Sequence, residues 1–136
     1  MNVLREDTNE GKKIHHVAII CSDYEKSKNF YVNILGCDIE KETYRSERKS
    51  YKLDLIVGGE YQLELFSFPD SPHRPSYPEA RGLRHLAFEV EDINQAIEDL
   101  ENENIPVEPI RVDELTGKRF TFFCDPDDLP LEIYEK

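Results

Sequence analysis

Hydrophobic and polar residues alternate along the first half of the chain in short runs that are separated by turn-forming residues. The run at 14–21 has the period of a β-strand, and the next segment changes to helical spacing. Apolar positions of that segment are Tyr24, Phe30, Tyr31, Ile34 and Leu35. Ser22 and Glu25 form a capping-box pattern that predicts the start of a helix, and Gly36 predicts its end. Strand candidates follow at about 37–42 and on both sides of a Gly-Gly turn, so the order is strand, helix and three strands.

The second half of the chain repeats this order. The phrase "LRHLAFEVED" matches "IHHVAIICSD" at an offset of 69 residues, and "RFTFFCDPDDLPLEIY" matches "YKLDLIVGGEYQLELF" at an offset of 68. Asp92 predicts the start of a second helix, and Asn104 with Pro106 predicts its end. The buried stripe of this helix is expected at Ile93, Ala96, Ile97 and Leu100. A short strand is expected at 107–112.

The repeat predicts an α+β fold of two tandem βαβββ modules in one domain. We expect an N-terminal tail at 1–13 and a single domain at 14–136, which divides into module one (14–68), a proline-rich strap (69–81) and module two (82–136). The strap has prolines at every third position: Pro69, Pro72, Pro75 and Pro78. This spacing favours an extended, semi-rigid connection between the modules.

Composition narrows the classes of partner. With 29 acidic and 17 basic residues the formal charge is −12, which disfavours nucleic acid and anionic membranes. No run approaches the length of a membrane span, and the first thirteen residues lack the apolar region of a signal peptide, so a cytoplasmic location is expected. The three cysteines have no C-x-x-C spacing, which favours reduced thiols over a disulfide framework.

Four polar residues recur at matching places in the two repeats. Period-2 geometry places His16 and His85 on the strand face that points away from the helices, each with a small alanine two positions later. Glu64 and Glu132 stand alone among hydrophobic residues in the last strand of each module, where a carboxylate is costly unless it is paired or bound to a cation. Together the four could form the complete ligand set of one divalent metal ion. Duplication of structural residues is the alternative interpretation.

These features resemble the vicinal oxygen chelate superfamily, which has the glyoxalase/bleomycin resistance/dioxygenase fold. The resemblance is carried by "HHVAI", "NFYVNILG", "LELF", "RHLAF" and "DPDDLPLEIYE" and covers nearly the whole chain. It implies that the sheets of two modules curve into a cup around a divalent metal. The family pattern assigns metal-ligand roles to His16, Glu64, His85 and Glu132.

The ligand at position 64 distinguishes the subfamilies. Glyoxalase I, or lactoylglutathione lyase, is similar in using two histidines and two glutamates, whereas the epimerases of the family typically have glutamine where Glu64 stands. The resemblance therefore implies a metal-dependent glyoxalase-like lyase or isomerase that acts on a small carbonyl compound or its thiol conjugate through a metal-stabilised enediolate. Either Glu132 or Glu64 would act as the base. A thiol transferase, an epimerase and a non-catalytic binding module are the alternatives.

The sequence says less about the identity of the metal, the residues that contact the substrate and the oligomeric state than it does about the fold. Mixed imidazole and carboxylate ligands suit one Ni, Zn, Co, Mn or Fe ion per site. Arg81, Arg84 and Arg119 are candidates for binding the carboxylates of a small-molecule substrate, although a solvated rim of basic residues is an equal alternative. The resemblance implies a homodimer, and the metal site could form within one chain or across the dimer interface.

Overall fold

Each half of the chain builds one open, four-stranded mixed sheet in the computed structural model, which describes residues 13–136. The strands of the first sheet are β1 (Val17–Cys21), β2 (Asp38–Arg45), β3 (Ser50–Val57) and β4 (Glu60–Ser67), in the order β1-β4-β3-β2. Helix α1 (Tyr24–Lys28) continues as a π-helical segment at Asn29–Ile34, and a 3-10 turn covers Ser46–Arg48. Residues 1–12 of the predicted N-terminal tail lie outside the described residues.

The second half repeats this arrangement. Its strands are β5 (Leu86–Val90), β6 (Arg111–Val112), β7 (Arg119–Cys124) and β8 (Pro130–Glu135), in the order β5-β8-β7-β6, and its helix is α2 (Ile93–Asn102). In both sheets the first strand lies parallel to the last, and the other neighbours are antiparallel. The predicted α+β class with two strand-helix-three-strand modules is confirmed.

An aspartate is the N-cap of each α-helix. The prediction that Ser22 caps α1 is wrong, because Asp23 is the N-cap and its carboxylate accepts from the backbone N–H of Lys26 at 3.2 Å. The Ser22 hydroxyl instead donates to Asp127 of the second module. Asp92 caps α2 as predicted. An aspartate oxygen next to the first turn satisfies an otherwise unpaired N–H and carries negative charge at the positive end of the helix.

The strand expected at 107–112 is much shorter than predicted, because only Arg111–Val112 pairs with β7. Pro106 and Pro109 have no backbone N–H and cannot donate to a sheet ladder. One N–H of this segment, that of Glu108, still donates to the Phe122 carbonyl at 3.0 Å. The segment therefore lies beside β7, but only its last two residues form a strand.

One apolar core lies between the sheets and the helices and takes residues from both modules. Its fully or almost fully buried members include Leu53, Leu55, Leu63, Leu65, Ile93, Leu100, Leu131 and Ile133. In β3 and β4 these are alternate residues, so the intervening side chains point to the opposite, open face of the sheet. Ile20 on that face is 54% exposed.

No helix in the described part of the chain has the length and apolar character to cross a membrane.

Tyr31 joins the two modules through a buried hydrogen bond. Its side chain is fully buried, and its hydroxyl donates to Oδ2 of Asp125, in the turn between β7 and β8, at 2.7 Å. The other carboxylate oxygen accepts from the backbone N–H groups of Asp127 and Leu129 at 2.8 and 2.9 Å. Burial raises the pKa of Asp125, and these donors oppose that rise by stabilising the ionised form.

The Tyr31→Phe variant is expected to lose about 2 kcal/mol of unfolding free energy at pH 7, because a buried carboxylate loses one donor. The donor favours the ionised form, so its contribution is present above the folded-state pKa of Asp125 and disappears as the pH falls through it. Urea unfolding at pH 7 and at about pH 4 should therefore show a smaller loss in acid. Tyr24→Phe, which removes a bond to the 38% exposed side chain of Glu42, should lose less at pH 7. An equal loss for Tyr31→Phe at both pH values would contradict this account.

Candidate metal centre

His16 and Glu64 form a polar pair in the first module. His16 directly precedes β1, and the parallel register of β1 with β4 places Ala18 beside Glu64. Nε2 of His16 lies 3.4 Å from Oε2 of Glu64. The other ring nitrogen, Nδ1, lies 2.8 Å from Nδ1 of His15. A contact of this kind at the remote nitrogen orients an imidazole, here with Nε2 toward the carboxylate.

His85 and Glu132 repeat this geometry in the second module. His85 directly precedes β5, and Ala87 pairs with Glu132 in the parallel register of β5 with β8. Nε2 of His85 lies 3.4 Å from Oε2 of Glu132. The imidazole packs edge-on against Phe122 with 5.1 Å between ring centroids. The duplication therefore preserves the atomic arrangement of the pair as well as its residue types.

Glu64 is firmly held within its own module. It is 6% exposed, and its Oε2 accepts a hydrogen bond from the Tyr61 hydroxyl and lies 3.7 Å from Nζ of Lys52. Asp54 pairs with Glu64 across the sheet and also contacts Tyr61 at 3.2 Å and Lys52 at 3.0 Å. Burial and the bond to Glu64 raise the pKa of Tyr61, so its hydroxyl stays protonated and donates at neutral pH.

Glu132 lacks this polar support. At the offset of 68, the residues that correspond to Lys52, Asp54 and Tyr61 are Phe120, Phe122 and Leu129. Phe122 pairs with Glu132 across the sheet, as Asp54 does with Glu64. Within residues 13–136 the only cationic or hydrogen-bonding side chain paired with the Glu132 carboxylate is His85. Glu64 is therefore more tightly constrained than Glu132, although the His–Glu distances in the two modules are equal.

The four predicted ligands form two half-sites in one chain. We call His16 with Glu64 half-site one and His85 with Glu132 half-site two. Among residues 13–136, no group of three or more His, Cys, Asp or Glu side chains is placed to hold a metal ion, so the quartet is not assembled within this part of a single chain. Each pair nevertheless fits a metal, since two ligand atoms at about 2.0–2.2 Å from one ion lie roughly 3.0–3.4 Å apart.

The three predicted substrate arginines lie in different surroundings. Arg84 lines a cavity of about 310 Å³ that also contains His85. Arg119 instead makes a two-pronged ion pair with Glu135, with distances of 2.8 and 3.2 Å, and this pairing raises the pKa of Arg119 and lowers that of Glu135. Arg81 is exposed and is not among the residues that line the cavity.

Two further arginines line that cavity and were missed from the sequence. Arg74 belongs to the proline-rich strap, and Arg111 to the short strand β6. The strap lies against the second module, where the Ser76 hydroxyl donates to the Asp128 carbonyl at 2.7 Å. The sequence does not show that Arg74 lies at this cavity, because the position of the strap depends on tertiary contacts.

The cysteines are poorly suited to act as nucleophiles. Cys21, Cys37 and Cys124 are all free thiols, as expected. Burial raises the pKa values of Cys21 and Cys37 to about 11, so both are protonated at neutral pH. Cys124 is exposed, and its pKa is also raised, first by partial burial and then by nearby carboxylates. The His–Glu pairs are therefore better candidates for catalysis than the three cysteines.

Comparison with known proteins gives matches over most of the chain. The family model of the Glyoxalase/Bleomycin resistance protein/Dioxygenase superfamily matches residues 13–133. YwkD of Bacillus subtilis (strain 168) is 64% identical over 125 residues, which are 92% of this chain and 98% of that protein. The solved structure of the glyoxalase family protein from Enterococcus faecalis is 54% identical with a TM-score of 0.82, and the match covers 91% of this chain and 98% of that one. Metallothiol transferase FosB of Staphylococcus saprophyticus is 30% identical over 128 residues, 90% of this chain and 76% of that protein.

Proposed function

Because this chain belongs to the Glyoxalase/Bleomycin resistance protein/Dioxygenase superfamily, we propose that it is a metal-dependent glyoxalase-like lyase or isomerase. Its substrate would be a small carbonyl compound or the thiol conjugate of one. The superfamily includes glyoxalase I, epimerases and thiol transferases, and its members generally use a divalent metal. The observation that carries the proposal is the presence of two His–Glu pairs with the same Nε2–Oε2 separation of 3.4 Å.

The proposed metal site contains both half-sites and is formed between two copies of the chain. A two-fold homodimer repeats every contact, so half-site one of each protomer can face half-site two of its partner and give two equal sites. Members of the superfamily often form dimers. The separation of the half-sites in a single chain supports this arrangement. His16, Glu64, His85 and Glu132 are the proposed ligands, drawn in pairs from the two protomers.

The two glutamates are proposed to have different roles. The metal, when bound, would supply Lewis-acid stabilisation of negative charge on neighbouring substrate oxygens. Glu64 is buried and bound by Tyr61 and Lys52, which fix its carboxylate as a ligand. Glu132 has a hydrophobic neighbour, Phe122, across the sheet and is left with more freedom to turn. We assign to Glu132 the role of the base that takes a proton from the carbon next to the substrate carbonyl and returns it to the adjacent carbon.

A thiol transferase is the second candidate, favoured by the 30% identity with FosB over nearly the whole chain. Such an enzyme would use the same metal as a Lewis acid, but a thiol sulfur would form a new bond to the substrate. The presence of Glu64 favours the isomerase slightly over the transferase, because two carboxylates suit proton transfer better than sulfur addition. A panel of substrates separates the candidates, since a transferase consumes one thiol per turnover and an isomerase of the conjugate consumes none in its chemical step.

Protein purified without a metal-chelating tag is expected to contain about one divalent ion per protomer, because a two-fold dimer has two sites. It is also expected to form a thioester from methylglyoxal plus a suitable thiol, and to lose that activity on chelation. Elemental analysis and a thioester assay over candidate thiols check both points. Bound metal without thioester formation would reject the glyoxalase activity, whereas failure to bind metal even after reconstitution would reject the metal site.

A further inference from the structure

A cavity of about 310 Å³ lies between the proline-rich strap and the second sheet. Its lining includes strap residues between 74 and 80 together with His85 and Phe122 of the second module. The strap is fastened there by the bond from the Ser76 hydroxyl to the Asp128 carbonyl. The cavity is therefore shaped by a docked segment, and it opens beside one member of half-site two.

The charged residues of the cavity are mostly basic. Its lining includes the arginines Arg74, Arg84 and Arg111 and the glutamates Glu79 and Glu108. The whole chain carries a formal charge of −12, so an excess of positive charge at this point runs against the overall balance. Close to this site, small anions are attracted by the arginines, because most of the acidic residues lie elsewhere on the protein.

Two of these arginines are already engaged. Arg111 pairs with Glu108, and its guanidinium lies over the Phe122 ring at 5.4 Å from the centroid. Arg74 donates to the Ser76 hydroxyl at 2.7 Å and to a backbone carbonyl at 2.9 Å. These contacts hold both guanidinium groups at the cavity wall. Of the two, only Arg111 has its charge balanced by a carboxylate of residues 13–136.

Arg84 is the arginine of this cavity that has no side-chain or backbone partner among residues 13–136. No carboxylate of residues 13–136 lies within ion-pair distance of its guanidinium, and no hydrogen-bond acceptor of that part of the chain binds it. It is also the sequence neighbour of His85, and both side chains line the same cavity. A guanidinium presents a planar set of donors that matches two oxygens of a carboxylate or phosphate.

We propose that this cavity binds the anionic group of the substrate, a carboxylate or a phosphate, with Arg84 as the principal cation and Arg74 beside it. The identity of the bound molecule as a substrate rests on the proposed function, whereas the anion site itself does not. A volume of about 310 Å³ is at the low end for ligand pockets, so the molecule is a small organic acid rather than a bulky conjugate held entirely within the cavity. Phe122 offers an apolar wall for its carbon skeleton.

The test uses metal-free full-length protein and two probes, inorganic phosphate and malonate, titrated at low ionic strength and followed by calorimetry. Saturable binding is expected, and the tighter of the two probes identifies the preferred anionic group. Arg84→Gln should weaken binding by about 10-fold or more, and Arg84→Lys by less, because it keeps the charge but loses the fork. Arg81→Gln removes an equal charge three residues away and outside the cavity, so this variant should bind both probes with the affinity of the wild type. Circular dichroism melts check that each variant is folded.

The outcomes separate this inference from the proposed function. Anion binding that depends on Arg84 in a protein that binds no metal would keep the anion site and reject the proposed metalloenzyme. Thioester formation by a protein whose anion binding ignores Arg84 would keep the enzyme and overturn the inference. Equal weakening by Arg84→Gln and Arg81→Gln would also overturn it, since that result reports only a change in overall charge.

Discussion

The Glu132→Gln variant is expected to lose about 10²–10⁴-fold in kcat on the substrate that the wild type converts, while it still binds a divalent metal. Glutamine has the same shape and keeps an oxygen that can serve as a ligand, but it cannot accept a proton. Phe120, Phe122 and Leu129 stand where the first module has polar residues, so no neighbouring group of that set can replace the carboxylate. Steady-state kinetics with elemental analysis and a thermal melt of the same sample give the three necessary values.

The matched control is Glu64→Gln. This change replaces the carboxylate that Tyr61 and Lys52 contact with a neutral amide. It should lower metal affinity by about 10–100-fold, because the ligand loses its negative charge and its interactions with these two residues change. In saturating metal it should retain far more of kcat than Glu132→Gln does. The reverse ranking would transfer the role of base to Glu64. Equal losses in saturating metal would mean that both carboxylates take part in moving the proton.

The fold could be predicted because the internal repeat constrains it twice. His16 and His85 directly precede equivalent strands, and the period-2 pattern of the last strand in each module directs Leu63, Leu65, Leu131 and Ile133 to the core. Once two modules each contain a strand, a helix and three strands, few sheet orders bury those faces. The pairing of each histidine with its glutamate follows from the parallel register of the first and last strands.

Other features depended on tertiary contacts that the sequence pattern does not encode. The strand predicted at 107–112 is broken by Pro109, whereas Ser22 lost its expected capping role to Asp23 because it contacts the other module. The contact between Tyr61 and Glu64 has no signal in the sequence, because Tyr61 follows the Gly-Gly turn and fits the pattern of an ordinary strand residue. Arg74 lines the cavity because the strap docks on the second module, and no periodic pattern in the sequence indicates this docking.

The His16→Ala and His85→Ala variants are each expected to be inactive alone and to recover about one quarter of the wild-type activity when they are mixed and allowed to exchange subunits. Random exchange makes half of the dimers mixed, and each mixed dimer has one site with all four ligands and one site that lacks both histidines. Half-site one of the His85→Ala protomer and half-site two of the His16→Ala protomer make the intact site. Turnover and tightly bound metal should recover together, and sedimentation should show dimers throughout.

The control mixture combines His16→Ala with Glu64→Ala, two changes that damage the same half-site. Every site in this mixture contains a damaged half-site one, so no recovery is expected even though the dimers exchange equally well. If the metal site were assembled within one chain, the His16→Ala and His85→Ala mixture would also stay inactive, because neither chain has all four ligands. Recovery in the first mixture and none in the second therefore requires a site shared between protomers, and it explains why a single chain holds two separate His–Glu pairs with the same geometry.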